Sequence, residues 1–375
     1  MAAALKDQFG PSVPRAIADM LVAVHDRFPR AAFLRDALDG YAPLSLTERA
    51  RQISGALHAH LPADYPQAIR LLLASSRVSH AHRAAQGMGG FLFMPHLMFI
   101  ADHGLDHFED SMQAQHELTQ RFTAEFSIRS FIERHPHATL ARLAQWTQDP
   151  SPHVRRLVSE GTRPRLPWAQ RLRDFQRDPA PVLVLLERLK DDPELYVRRS
   201  VANNLNDIGK DHPDLLADVA RSWLRDASPE RRWIVRHALR SAIKRAEPGA
   251  LSALGYGEAP SLAVEQVRIT PKRVREGGRV EIGFTLRNTG AREQRVMADF
   301  VVHYVKANAK TSAKTFKLKA LTLAPGESAS LAKTLALVPM TTRKHYPGEH
   351  RVQAQLNGRL HDLGAFRLLS ERAAP

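Results

Sequence analysis

The sequence predicts two domains, an all-α domain followed by an all-β domain, because the spacing of apolar residues changes once along the chain. Up to about residue 250 apolar residues recur every three or four positions, as over residues 17–28, which is the period of an amphipathic helix. After residue 260 they alternate with polar residues, as over residues 280–286, which is typical of a half-buried strand. We place the two domains at residues 1–255 and 256–375.

The first domain is predicted to be a HEAT-like repeat α-α superhelix. Ser45 followed by Glu48 has the spacing of a capping box at a helix start. Three later helices open alike, with an Asp-Pro or Ser-Pro turn and then arginines: DPSPHVRRLVSEG (149–161), DPELYVRRSVANNL (192–205) and SPERRWIVRHALRS (228–241). Their equivalent residues Val154, Val197 and Ile234 are 43 and 37 residues apart, a period typical of helical pairs that stack into a solenoid.

The second domain is predicted to be an immunoglobulin-like β-sandwich. Its alternating segments are separated by the turn signals GG, NTG, PGES, PGE and NG. About seven such strands fit a small antiparallel sandwich. A disulfide between its sheets is excluded, because the chain has no cysteine.

The composition excludes several classes of protein. Without cysteine there are no thiol nucleophiles, iron–sulfur clusters or cysteine zinc sites. The most apolar stretch, residues 91–101, is shorter than the roughly 20 residues of a membrane span, and MAAALKDQFGPSVPR lacks the pattern of a secretory signal. We therefore expect a protein of the bacterial cytoplasm or nucleoid, with no membrane partner.

Neither a metal nor a cofactor is expected. His96, His103 and His107 form a histidine group without the carboxylates or the HExxH pattern of a metal site. The chain also lacks a P-loop, a dinucleotide-binding fingerprint and a G-x-S-x-G nucleophile elbow.

The positive charge points to an anionic partner and is unevenly distributed. The formal net charge of +15 divides into −2 for residues 1–125, +6 for residues 126–259 and +11 for residues 260–375. A basic surface of this kind favours nucleic acid, because lysine and arginine displace the counterions of a phosphate backbone. The partner is therefore expected to contact the last two thirds of the chain.

The repeated arginines are candidates for that contact. At equivalent helical positions they would form parallel basic groups along one surface. The alternative is a solvated helix face whose arginines pair with carboxylates such as Asp192 and Asp211. The candidates are Arg155, Arg156, Arg198, Arg199, Arg236, Arg240 and Lys244.

Two polar features stand out in otherwise apolar helical segments. Glu125 directly precedes Phe126 in the segment 117–136, where the simpler interpretation is a surface glutamate on an amphipathic helix. The segment VANNLNDIGKDHP (201–213) contains Asn203, Asn204, Asn206 and Asp207. These residues are poor helix formers and favour caps or sites.

Four long stretches of the chain resemble the AlkC group of alkylpurine DNA glycosylases, within the HEAT-like repeat (AlkC/AlkD) superfamily. The resemblance covers most of residues 5–255, and EGGRVEIGFTLRNTG (276–290) is similar to the immunoglobulin-like domain that a subset of the group carries. The stretches are ADHGLDHFEDSMQAQHELTQRFTAEFSIRSFI (101–132), LAQWTQDPSPHVRRLVSEGTRPRLPWAQRL (143–172), DPELYVRRSVANNLNDIGKDHPDL (192–215) and RRWIVRHALRSAIKR (231–245).

The resemblance implies a monofunctional DNA glycosylase that excises cationic alkylated bases, chiefly 3-methyladenine and also 3-methylcytosine, from double-stranded DNA. It implies that the chain works as a monomer and that the lesion is engaged without being fully flipped into a pocket. Such a base is already a good leaving group, so carboxylates and aromatic faces suffice to stabilise the charges that develop.

Carried over position by position, the resemblance makes Glu125 and Asp207 the catalytic carboxylates. It makes Trp168 the aromatic residue that packs against the lesion, although a loop anchor is the simpler interpretation of a lone tryptophan. The resemblance adds two arginines of the RPRLP segment and a loop of the sandwich to the expected DNA contacts. The alternative interpretation of this loop is an ordinary hairpin turn. These additional residues are Arg163, Arg165, Gly277, Gly278 and Arg279.

Two other functions remain open from the residues alone. A HEAT-like array can be a non-enzymatic scaffold that binds nucleic acid or protein, because a fold does not fix a function. In that case Glu125, Trp168 and Asp207 have no reason to converge on one cleft. A cell-surface adhesion module is the third hypothesis, and the lack of a signal and of cysteines argues against it.

Overall fold

The computed structural model describes residues 9–78, 87–256, 261–338 and 344–369. Within these ranges it contains sixteen α-helices and a short 3-10 helix, Gly87–Phe93, all of which precede the strands. No helix of the described chain combines the length and apolarity that crossing a membrane requires. The α-helices are α1 (Ser12–Val22), α2 (Arg30–Leu38), α3 (Leu46–His60), α4 (Tyr65–Ser76), α5 (Met94–His103), α6 (Phe108–Leu118), α7 (Ser127–Arg134), α8 (Pro136–Trp146), α9 (Pro152–Gly161), α10 (Arg173–Arg177), α11 (Ala180–Leu189), α12 (Leu195–Ile208), α13 (Pro213–Leu224), α14 (Pro229–Ala238), α15 (Arg240–Lys244) and α16 (Pro248–Ala253).

The helix starts follow the local signals of the sequence. The Ser45 amide donates to Glu48 Oε2 at 2.8 Å, which is half of the predicted capping box at α3. The turns before α9 and α12 are closed by aspartates, because Asp149 Oδ1 accepts from the Ser151 amide and Asp192 Oδ1 from the Glu194 amide.

The first helix is shorter than its apolar period suggests. The stripe from Ile17 to Phe28 predicts one helix, but α1 ends at Val22 and Phe28 lies beyond a turn with only 5% of its surface exposed. Pro29 explains part of this difference, because a residue before proline avoids the helical conformation. Phe28 therefore contributes to the core from a loop.

The elements pack into two compact units, residues 1–211 and 212–375. Helices α1 to α12 belong to the first unit, in which the repeat helices α9 and α12 pack on each other. Helices α13 to α16 belong to the second unit together with all the strands. The last helix ends at Ala253 and the first strand begins at Leu262, while the domain boundary at residue 255 stays a prediction.

The strands form two sheets that enclose an apolar core. They are β1 (Leu262–Thr270), β2 (Arg273–Val274), β3 (Arg279–Asn288), β4 (Gln294–Val305), β5 (Thr311–Leu323), β6 (Ser328–Ala336), β7 (Gly348–Leu356) and β8 (Arg359–Leu368). The described part of the chain thus has eight strands rather than about seven, because the two-residue β2 lies outside the alternating segments. The strand order is β1-β3-β6 in one sheet and β2-β8-β7-β4-β5 in the other.

The predicted alternation produces the core of the sandwich. Phe284 and Leu286 on β3, Phe300 on β4 and Ala354 on β7 are at most 3% exposed, and their sequence neighbours on β3 face outward. The long pairs are antiparallel, with Phe284 opposite Leu331 and Phe300 opposite Ala354. The predicted fold class, a helical region followed by a β-sandwich, is confirmed.

A buried histidine lies in the helical core. His96 on α5 is fully buried, and neither ring nitrogen has a hydrogen-bond partner. Burial, with a smaller contribution from the positive charge of Arg121, lowers the pKa of His96 from 6.5 to about 4.

We expect His96 to make the fold sensitive to acid. Between pH 6.5 and 4 the unfolded chain binds a proton at this residue that the folded chain does not, so the free energy of unfolding falls as the pH falls, by up to about 3 kcal/mol. His96→Leu should remove this part of the pH dependence in urea unfolding. His137→Asn, at an exposed position, should leave it unchanged, and equal slopes in wild type and His96→Leu would contradict the assignment.

Candidate active site

The first unit contains a cleft of about 700 Å³. It is bordered by the start of α3, by α5, by the loop 119–126, by α7 and by the loop 162–172. Aromatic and aliphatic side chains such as Phe91, Met98 and Phe122 line much of it. Its size and mixed lining are those of a ligand site.

Four carboxylates border the cleft: Asp102, Glu125, Glu133 and Glu160. Glu125 lies in the turn between α6 and α7 rather than on a helix face, and its side chain is 12% exposed. Its Oε2 accepts from Thr123 Oγ1 at 2.8 Å and lies 2.7 Å from Arg156 Nη1. The turn therefore presents a held carboxylate to the cleft.

Asp207 lies deeper than Glu125 and does not line the cleft. It is in the last turn of α12, is 1% exposed, and accepts hydrogen bonds from Arg163 Nε at 2.8 Å and Lys210 Nζ at 2.7 Å. Arg163 lines the cleft in front of it. The two predicted catalytic carboxylates are thus linked through arginines rather than placed side by side.

Glu160 at the end of α9 completes that link. Its Oε1 accepts from Arg163 Nη1 at 2.6 Å and lies 3.6 Å from Arg156 Nη2. The result is an alternating charge chain, Glu125–Arg156–Glu160–Arg163–Asp207, that we call the cleft ion chain. A carboxylate stands at each end, and of the two only Glu125 lines the cleft.

Glu160 is not among the site residues that the sequence predicts, although a signal is present. It stands four residues after Arg156 and three before Arg163, spacings that bring oppositely charged side chains together on a helix. Its Oε2 accepts from Ser200 Oγ of α12 at 2.6 Å, a contact that spacing within one helix does not reveal.

The arginines of the cleft ion chain stay charged in spite of burial. Burial acts to lower the pKa of both Arg156 and Arg163, but the negative charges around them outweigh it and raise each pKa. Glu160 is the largest of these charges in both cases. The cation of Arg156 also lies 5.2 Å from the centre of the Tyr196 ring.

Trp168 is at the rim of the same cleft and projects from the loop 162–172. It is 86% exposed, whereas Leu166 and Leu172 on either side are buried. Its backbone φ of 64° is in the left-handed region, which is uncommon for a bulky residue. The simpler interpretation, a tryptophan packed as a loop anchor, does not describe this side chain.

The other arginines of the first unit are mostly engaged within the protein. Arg155 Nε lies 2.6 Å from Asp192 Oδ2, and Arg165 Nε donates to Asp211 Oδ2 at 2.8 Å. These are the two carboxylates named for the ion-paired alternative. Arg198 donates to the carbonyls of residues 192 and 193, while Arg199 is exposed. Their contact with DNA stays a prediction.

The second unit has a basic groove of about 360 Å³ between α14, α15 and β5. It brings together the predicted Arg236, Arg240 and Lys244. The groove also contains Lys317 of β5, which is not among the DNA contacts that the sequence predicts. Trp233 and His237, stacked at 4.9 Å with 6° between their rings, form its aromatic part.

The predicted glycine loop precedes β3. Gly277 has a φ of +82°, and a Cβ on Gly278 would lie 2.6 Å from Val274 Cγ2, so both positions need glycine. Arg279 is the first residue of β3 and is exposed. The loop itself is tied to Leu337 by two backbone hydrogen bonds of 2.9 Å.

The three histidines considered as metal ligands each pack against different side chains. His96 is buried against the edge of Phe93, His103 stacks on His58 at 3.8 Å, and His107 stacks on Tyr65 at 4.9 Å. Over the described ranges no three His, Asp or Glu side chains form a cluster that could hold a metal ion.

Comparison with known proteins identifies both parts of the chain. The model of the family "DNA alkylation repair enzyme" matches residues 109–251, and that of "Uncharacterised protein YhaZ, C-terminal Ig-like domain" matches residues 263–370. The chain is 37% identical over 325 residues to the "Uncharacterized protein YhaZ" of Bacillus subtilis (strain 168), which covers 87% of this chain and 88% of YhaZ.

A solved structure is similar over nearly the whole chain. It is the Pseudomonas fluorescens alkylpurine DNA glycosylase AlkC bound to DNA containing an abasic site analog. The sequences are 39% identical, the TM-score is 0.90, and the match covers 98% of this chain and 100% of the other. The immunoglobulin-like character of the sandwich is thereby confirmed.

Removing the central carboxylate of the cleft ion chain should destabilise the fold. Glu160→Gln keeps the shape but leaves two buried guanidinium groups without their shared anion, so the free energy of unfolding should fall by about 3 kcal/mol. Urea unfolding measures this. Asp174→Asn is the control, because Asp174 and its partner Arg177 are 83% and 78% exposed, and it should change stability little. Similar effects of both changes would contradict the role of Glu160.

Proposed function

The chain belongs to the AlkC group of the DNA alkylation repair enzyme family, and from this we propose which reaction its cleft performs. It is a DNA glycosylase of alkylation repair. We propose that it hydrolyses the N-glycosidic bond of cationic alkylated bases in double-stranded DNA, chiefly 3-methyladenine and also 3-methylcytosine. The observation that carries the proposal is the carboxylate of Glu125 in one cleft with the exposed indole of Trp168.

Glu125 is suited to stabilise positive charge. A cationic base leaves readily, so catalysis requires stabilisation of the oxocarbenium-like sugar and a positioned water rather than a strong general acid. The bond from Thr123 and the ion pair with Arg156 fix the orientation of the Glu125 carboxylate. A carboxylate held in this way before substrate binds needs little reorganisation when charge develops.

Trp168 and Asp207 take different parts in this proposal. The indole of Trp168 offers a π face to the cationic base, and its exposure favours contact with a base that stays near the helix over a base enclosed in a pocket. Asp207, held behind Arg163, would act by orienting that arginine and by adding negative potential. The reaction then needs no covalent intermediate, which agrees with a monofunctional glycosylase.

The strongest candidates for DNA contact are exposed or half-buried cations outside the cleft ion chain. They are Arg199 in the first unit, the basic groove of the second unit, and the loop 277–279 with Arg279. We propose that the chain acts on DNA as a monomer in the cytoplasm. A non-enzymatic scaffold explains neither the shared cleft of Glu125 and Trp168 nor the family of the chain.

We expect Glu125→Gln to abolish most base release while DNA binding remains. The amide keeps the size of the side chain but removes the negative charge, which should slow single-turnover release of 3-methyladenine by about 100-fold or more. Chromatography of bases released from methylated DNA measures the rate, and fluorescence anisotropy with DNA containing an abasic analogue measures binding.

The matched control is Asp102→Asn, because Asp102 also lines the cleft but is not part of the cleft ion chain. It should change the rate by a few fold at most. Release by Glu125→Gln at the wild-type rate would remove this carboxylate from the mechanism, and failure of the wild-type protein to release any alkylated base would overturn the proposed function.

The sandwich is expected to contribute to DNA affinity. Arg279→Gln should weaken binding of duplex DNA and reduce the slope of log K against log salt concentration by about 1, as loss of one phosphate contact does. Arg15→Gln, at an exposed position in the near-neutral start of the chain, serves for comparison. Equal effects of the two changes would contradict a specific role for the loop 277–279.

A further inference from the structure

Arg129 is a buried arginine that the reaction as described above does not use. It lies on α7, is 4% exposed, and lines the cleft between Glu125 and Glu133 in the sequence. Its hydrogen bonds go to backbone carbonyls and not to a carboxylate. Nη1 donates to the carbonyls of Gly161 at 3.0 Å and Arg163 at 2.8 Å, while Nε and Nη2 donate to that of Gln170, the former at 3.0 Å.

These acceptors lie at the two ends of one loop. Gly161 and Arg163 are at the point where α9 ends and the loop 162–172 begins, and Gln170 is near the point where the loop ends. Trp168 lies between them. A single planar guanidinium therefore joins both ends of the segment that presents the exposed indole, a geometry that its fork of N–H groups permits and that a lysine cannot reproduce.

The packing around Arg129 is arranged for this contact. A Cβ on Gly161 would lie 2.5 Å from Cγ2 of Ile128, the residue before Arg129, so glycine lets the end of α9 approach α7 closely. The side-chain amide of Gln170 donates to Glu133 Oε1 at 2.9 Å, which fixes the far end of the loop a second time. Burial of the guanidinium lowers the pKa of Arg129 to about 10, so holding the cation there is costly.

The backbone conformation of Trp168 indicates why the loop has to be held in place. Left-handed backbone at a bulky residue persists only where its surroundings impose it. The exposed indole has few contacts of its own, because 86% of its surface is in solvent. Its position over the cleft is therefore set by the rest of the loop, which Arg129 holds at both ends and which buried Leu166 and the Arg165–Asp211 pair hold in between.

We propose that Arg129 is a positioning residue of the glycosylase reaction, which fixes both ends of the loop 162–172 and so holds the Trp168 indole over the cleft beside Glu125. The inference rests on the proposed function, because Trp168 acts there on the lesion. It predicts that Arg129 affects base release through Trp168 and by no other route.

A double-mutant cycle tests this prediction. Arg129→Lys keeps the charge but loses the fork, and it should slow single-turnover release of 3-methyladenine about 10-fold or more, approaching the effect of Trp168→Ala. In the protein that carries both changes the rate should fall no further than in Trp168→Ala alone, within about twofold. Multiplication of the two effects would overturn the proposal.

The matched control is Arg49→Lys. Arg49 is also buried and also donates to backbone carbonyls, those of Phe9 at 3.0 Å and Ala42 at 2.7 Å, but it lies in α3. Arg49→Lys should lower thermal stability as Arg129→Lys does and leave the release rate within about twofold of wild type. An equal loss of rate in both would show that destabilisation alone accounts for the effect, and would overturn the proposal.

Two further measurements keep the test decisive. Gln170→Ala loosens the far end of the loop without changing a buried charge, so it replaces Arg129→Lys in the cycle if that variant does not fold, with the same result expected. The acrylamide-quenchable part of the tryptophan anisotropy decay in a Trp233→Phe background reports on Trp168, because Trp146 and Trp223 are buried, and this measurement needs no catalysis. Faster motion of Trp168 in Arg129→Lys supports the part of the proposal in which Arg129 holds the loop, whether or not wild type releases base, and unchanged motion overturns the proposal.

Discussion

The cleft depends on the ion pairs that Glu160 makes with Arg156 and Arg163. Both guanidinium groups are largely buried, and a buried cation is tolerated only when a partner of opposite charge and hydrogen bonds surround it. Glu160 supplies that partner to both and is itself fixed by Ser200 of α12. One carboxylate thereby joins the end of α9 to the neighbouring helix and to the turn that carries Glu125.

This arrangement separates the two tasks of the basic residues. Arg156 and Arg163 serve the cleft by orienting Glu125 and Asp207, and Arg155 and Arg165 are paired with Asp192 and Asp211. The first unit therefore keeps an acidic end of the cleft ion chain where a cationic base would bind. In the proposed function the DNA backbone would be attracted mainly by exposed cations elsewhere, which agrees with the concentration of positive charge after residue 260.

The sequence was sufficient for features that depend on local patterns. The change of period at residues 250–260 located the end of the helices and the start of the strands, and Ser45 with Glu48 located the start of α3. The resemblance supplied Glu125 and Trp168, which the structure brings to one cleft. Arg129 was missed because its role comes from partners more than thirty residues away, such as Gln170, and periodicity carries no information about such contacts. Glu160 has a local signal in its spacing from Arg156 and Arg163, but its contact with Ser200 is equally distant in the sequence.

The cleft is proposed to act by stabilising the positive charge that develops on the sugar while an already cationic base leaves. The most direct test compares release of two lesions from otherwise identical duplexes, the cationic 3-methyladenine and the neutral 1,N6-ethenoadenine. We expect the protein to accelerate loss of the cationic base by orders of magnitude and to leave the neutral one almost unreleased, because a neutral base must be protonated before it leaves and the proposed mechanism uses no general acid. Comparable acceleration for both bases would contradict it.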